Sequence, residues 1–184
     1  MGELGERNSL VDQIFQQYDA DLKGELTAVQ AQSIHADMRI GGISFQQVEA
    51  SIDYTCLGDT VEKSELFELL QEMDRRYFLV QDFRWEFSML DREMKDTITE
   101  DQARWFLQAV HGDFFSKKRW EKFLARRSVP GSGVSFAEIE VELCNIPSAQ
   151  SLKDEEDEEK KEAEVNKKEW FSKSSYVLVV PYNR

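Results

Sequence analysis

Four branched aliphatic residues recur along the chain at a nearly constant interval: Leu26, Val61, Ile98 and Val134, spaced 35, 37 and 36 residues apart. A period in this range marks a supersecondary unit used several times, each copy burying its apolar face against a neighbour. The copies agree further. Four residues beyond each aliphatic stands an amide or a carboxylate: Gln30, Glu65, Gln102 and Glu138. An apolar, helix-forming run follows each of them. The third copy is the plainest, with an aromatic-rich run over residues 83–90, a polar stretch over 91–102 (DREMKDTITEDQ) and a second helical run over 103–110. The copies also fall into two kinds. Residues 19–30 (DADLKGELTAVQ) share Asp, Lys, Thr and Gln with residues 91–102 at positions 1, 5, 9 and 12. Gly58, Val61 and Glu65 return as Gly131, Val134 and Glu138. This odd–even alternation predicts units that work in pairs.

Helix, polar loop of twelve residues, helix is the layout of an EF-hand. Over roughly residues 9–146 the chain resembles the superfamily that includes calmodulin, troponin C and the myosin light chains. The resemblance implies an all-α fold: four EF-hand helix-loop-helix repeats in two pairs, with short antiparallel β contacts between paired loops. It implies an N-terminal pair over residues 1–75 and a C-terminal pair over 76–147. Residues 148–184 then form an acidic linker and an apolar C-terminal segment.

Every loop departs from the calcium-binding pattern. Calcium takes about six to eight oxygens, several of them anionic, and a glutamate at position 12 ordinarily supplies two. Loop 1 offers Asp19, Asp21 and Glu25 with a turn glycine, Gly24, but carries Lys23 at position 5 and Gln30 at position 12. Loop 3 offers Asp91 and Glu93, but has Lys95 at position 5, Asp96 in place of the turn glycine, and Gln102 at position 12. Two carboxylates facing one ammonium are close to neutral without metal. Both loops therefore read as internally neutralised turns, with a weak calcium site as the alternative. Loop 2, starting at Asp53 or Tyr54, and loop 4, residues 127–138, keep the closing glutamate and lack the acids; loop 4 opens on Arg127. The expectation is no required cofactor and at most low-affinity calcium. The weak candidate ligands are Asp19, Asp21, Glu25, Asp91 and Glu93.

The exiting helices have another way to start. Thr27-x-x-Gln30, Thr99-x-x-Gln102 and Ser135-x-x-Glu138 are capping boxes, as is Ser44-x-x-Gln47 ahead of the second unit. Each cap contributes roughly 0.5–2 kcal/mol. Ser9 is expected to cap the first helix after a flexible lead over residues 1–8. Past Leu66, Leu69 and Leu70 the helical pattern runs on, compatible with one long central helix or with a break near Arg75 and Arg76. Trp105, Phe106 and Leu107 are consecutive and cannot all face one way; Trp105 or Leu107 is expected to face outward. His35 reads as a partly buried side chain rather than a ligand.

The net charge is −13; residues 151–184 hold nine acids and seven bases, which leaves −11 on residues 1–150. That charge disfavours nucleic acid and anionic membranes and suits a basic partner. No apolar run approaches the ~18 residues of a membrane span. No secretory pattern opens the sequence, and Glu6 stands where a myristoylation motif prefers Ser or Thr. Cys56 and Cys144 are isolated and read as reduced thiols of a cytoplasmic protein. Residues 151–169 are a charge run that reads as a disordered linker or a solvated helix. The β-prone apolar stretch over residues 170–181 reads as an added strand on the body or on a partner, or as a stray terminus.

No phosphate loop, Cys/His cluster or nucleophile motif is present in the sequence, so a non-enzymatic protein is expected. The leading expectation is a calmodulin-like, largely calcium-independent adaptor that clasps a basic amphipathic helix of a protein partner. Leu70, Leu107 and Leu143 would line its groove. The alternative is a weak calcium sensor, or a calcium-binding regulatory subunit of an enzyme or channel.

Overall fold

The structure, a computed structural model, describes residues 2–127, 131–146, 153, 157–158 and 160–168, without the side chains of residues 2–8. It is mostly helical, with two small antiparallel sheets. The helices are α1 (Gly2–Tyr18), α2 (Ala28–Met38), α3 (Phe45–Thr55), α4 (Leu66–Leu90), α5 (Glu100–His111), α6 (Lys117–Arg126) and α7 (Phe136–Cys144), with a 3-10 turn at Gly112–Phe114. The strands have two residues each: β1 (Glu25–Leu26), β2 (Val61–Glu62), β3 (Thr97–Ile98) and β4 (Val134–Ser135).

Local chemistry sets most of the helix ends. The Thr27 and Thr99 hydroxyls cap α2 and α5, and in each box the glutamine returns a bond to the cap's backbone N–H. Glu138 does the same for α7, accepting from the Ser135 amide and hydroxyl at 2.8 Å each. Ser44 is different. Its hydroxyl caps α3 by accepting from the Gln47 amide, but the Gln47 side chain turns into the core to meet Arg76, so the box is half formed. α2 ends at Met38 with Arg39 extended, and Gly41 and Gly42 at φ of 85° and 56° then turn the chain toward α3, whereas Gly112 at φ 57° ends α5. α1 begins at Gly2, so Ser9 lies inside the helix instead of capping it.

The four repeated aliphatics meet in pairs. β1 and β2 place Leu26 opposite Val61, and β3 and β4 place Ile98 opposite Val134. All four are buried, at 0%, 0%, 3% and 0% exposure. Each pair joins one of two apolar cores. One is built on Phe15, Ile34, Val48, Ile52, Leu69 and Met73, the other on Phe83, Phe87, Phe106, Trp120, Ile139 and Leu143. Such side chains contribute roughly 1.5–3 kcal/mol each on burial.

α4 runs unbroken for 25 residues and serves both cores, which divide along it between Tyr77 and Leu79. Arg75 and Arg76 do not break it, because both bond back to Glu72 one turn earlier, at 2.7 Å. α3 and α7 also touch, so the two halves pack against each other beside α4. Residues 160–168 of the acidic run are helical and exposed throughout. The apolar stretch over 170–181 lies outside the described residues. No described helix is long and apolar enough to cross a membrane.

Candidate functional site

The twelfth residue of every loop is committed to the protein itself. The Gln30 amide oxygen accepts from the Thr27 backbone at 2.8 Å, and its NH₂ donates to the Tyr18 carbonyl at 2.7 Å. One side chain thus bridges the end of α1 and the start of α2. Gln102 repeats this between Thr99 (2.8 Å) and the Leu90 carbonyl (3.4 Å). In loop 2 the Glu65 carboxylate accepts from the Leu57 and Glu62 amides, both at 2.9 Å. Those two amides hold its carboxyl below the usual range against a small opposing effect of burial. Glu138 accepts from Ser135 and from Arg127. Burial pushes its carboxyl up, but these donors outweigh that and hold it low.

The candidate metal ligands are separately engaged. Asp19 accepts from the Lys23 and Gly24 amides, and Asp91 accepts from the equivalent Lys95 and Asp96 amides. Asp21 pairs with Lys23, and Glu93 with Lys95. Glu25 accepts from the Thr60 hydroxyl of the paired loop. Loops 1 and 3 share one backbone path, with positive φ at Leu22 and Gly24 and again at Met94 and Asp96. Among the described residues no three carboxylate, imidazole or thiol side chains converge as a metal shell requires. Lys23 and Lys95 each pair with one acid of their loop, and Gln30 and Gln102 spend their NH₂ groups on the Tyr18 and Leu90 carbonyls, so position 12 of these loops offers one neutral oxygen where calcium ordinarily takes two from a carboxylate.

The structure separates the three leucines expected in a groove. Leu70 lines an open apolar cavity of about 490 Å³ between α1, α2 and α4, together with Leu10, Ile14, Met38 and Phe67. Leu107 and Leu143 do not line an open groove. They are 4% and 0% exposed, inside the C-terminal core where α5 packs on α7. The outward member of the 105–107 triplet is Trp105, at 61% exposure.

Two acids sit on the cavity's rim. Asp37 accepts from the Tyr18 hydroxyl. Asp74 accepts from Arg39 at 2.6 and 2.8 Å and faces His35 at 3.2 Å; the Arg39 hydrogen bonds hold its carboxyl below the usual range. His35 is fully buried, and that burial lowers its pKa.

Arg127 opens the loop that Glu138 closes, as the sequence shows, and the fold brings the two side chains together at 3.2 Å, a contact that loop position alone does not reveal. No family model matches the chain, and no curated protein matches it in sequence.

Proposed function

We propose that the protein is an EF-hand adaptor of the calmodulin type, with four repeats in two pairs. It holds an amphipathic helix of a partner protein largely without calcium and performs no catalysis. The observation that carries this reading is that all four position-12 side chains already close their loops through protein hydrogen bonds. The pairing of Leu26 with Val61 and of Ile98 with Val134 supports the four-repeat assignment. The partner's apolar anchors enter the N-terminal cavity beside Leu70, and basic residues of the helix face Asp37 and the acidic body. The two free cysteines suit a cytoplasmic setting.

The test is an anisotropy titration of a basic amphipathic helical peptide, in chelator and in calcium. The expected dissociation constants agree within about two-fold, and Met38→Asp weakens both by at least about ten-fold, as loss of one buried anchor requires. Met38 is half-exposed on the cavity lip, so the variant keeps its fold. Binding seen only with calcium favours the weak sensor. Binding indifferent to Met38→Asp removes this cavity as the site.

A further inference from the structure

We infer that the fourth loop is a cation site whose permanent occupant is the chain's own Arg127 guanidinium. The description of the loop as a metal-type seat rests on the EF-hand reading above; the contacts do not. Arg127 is the first residue of that loop, and its side chain is 2% exposed. Its Nε donates to the Glu138 carboxylate at 3.2 Å, and Nη1 donates to Glu100 at 2.6 Å. Nη2 donates to the Gly133 carbonyl at 2.8 Å and to the Ser132 carbonyl and hydroxyl at 3.1 Å each. These are the acceptors of a built cation shell: two carboxylates, two backbone carbonyls and a hydroxyl around one buried positive charge.

The same cation ties the pair together. Glu138 closes loop 4, whereas Glu100 opens α5 in the partner unit and also accepts from the Gly131 amide at 3.0 Å. The lysines of the odd loops do less, because Lys23 and Lys95 are 72% and 68% exposed and each pairs with one acid. A planar guanidinium directs donors along three edges at once, which an ammonium on a flexible stem does not reproduce. A divalent metal could enter only by expelling Arg127, and would then find two carboxylates. The C-terminal pair is therefore held closed at any calcium level. The ligand that fits the vacated seat is a planar guanidinium-type cation.

The experiment follows thermal unfolding of the full chain as wild type, Arg127→Ala and Arg127→Lys. It is run with about 20 mM guanidinium chloride or with the same concentration of tetramethylammonium chloride, where mass action stabilises only a state that binds the ion. Arg127→Ala is expected to lower the midpoint by roughly 5–10 °C, since it leaves Glu100, Glu138 and the Ser132 and Gly133 carbonyls without the donor they share. Guanidinium should recover part of the loss, tetramethylammonium none, and Arg127→Lys should stay well below wild type.

If Arg127→Ala does not fold, Glu100→Gln decides. It should lower the wild-type midpoint by several degrees and the Arg127→Lys midpoint hardly at all. A wild-type midpoint in Arg127→Ala, equal response to the two salts, or equal loss from Glu100→Gln in both backgrounds overturns the inference. A micromolar calcium site in loop 1 of the wild-type chain would undo the adaptor reading and leave this one intact.

Discussion

A single oxygen-for-nitrogen choice decides how loops 1 and 3 close. Glutamine and glutamate have the same shape, but only glutamine can donate. Gln30 uses that donor on the Tyr18 carbonyl, and Gln102 uses it on the Leu90 carbonyl. A glutamate at either place would set an anion against a helix-end carbonyl, itself the negative end of a dipole. It would also supply the two-oxygen ligand that calcium needs. Gln30→Glu is therefore expected to destabilise the chelated protein by about 1–2 kcal/mol, the cost of a lost hydrogen bond plus repulsion. The same variant should gain stability on adding calcium, through Asp19 and Asp21. Urea melts with chelator and with calcium check both. A Gln30→Glu protein as stable as wild type in chelator would show that the bridging amide contributes nothing.

Among elements, the two-residue strands depend on how closely the loops approach. A Cβ at Gly133 would lie 2.7 Å from the Thr97 side chain and 3.5 Å from the Ile98 carbonyl, so glycine is required there for space. Gly131 has the opposite need, with φ of 77° and open space around it. Gly133→Ala should cost about 1–3 kcal/mol by forcing β3 from β4, and Gly131→Ala about 1–2 kcal/mol of backbone strain. The two are told apart by amide exchange at Ile98 and Val134, which should quicken in Gly133→Ala beyond what its lower stability explains. Equal exchange in the two variants would count against the steric account. Much of this level could be read in the sequence. The apolar period marked the four residues that the strands pair, and three threonine or serine boxes marked the starts of α2, α5 and α7, because both signals are local or strictly periodic; which of the four stand directly opposite each other came only from the structure. The tightness at Gly133 could not be read, since it arises between segments 36 residues apart in the chain. Nor could the burial of Leu107 and Leu143, because a helical stripe does not say whether the helix opposite stands open or closed.

At the scale of the molecule, the halves are joined by more than the shared α4. Arg76, 2% exposed, links Glu72 to Gln47 of α3. Arg75 reaches the Cys144 carbonyl of α7, and Ser44 donates to Glu140 at 2.5 Å. Burial pushes the Cys144 thiol up to about 11, so it stays an unreactive part of this seam. No pattern in the sequence indicates these contacts, which join residues up to 96 positions apart. A protein built this way should respond to acid as one unit, and the histidines set where the response begins. His35 lies in the N-terminal half, and the His111 Nε2–H donates to the Glu142 carbonyl of α7 at 2.9 Å. Burial lowers the pKa of both below 6.5, against the pull of Asp74 on His35 and of the Glu142 carbonyl on His111. The unfolded chain then binds protons more readily than the folded one, so stability is fully present above 6.5 and is lost as pH falls below it through the lower values the folded imidazoles hold. The carboxylates of Asp74, Glu72 and Glu138 are held low, and their contribution is lost only further down, below 4.5. Urea midpoints should therefore fall between pH about 7.5 and about 5.5, and a His35→Gln, His111→Gln protein should lose that slope while keeping the steeper loss in stronger acid. A wild-type midpoint that stays level across the first interval would mean that neither imidazole is held neutral by the fold.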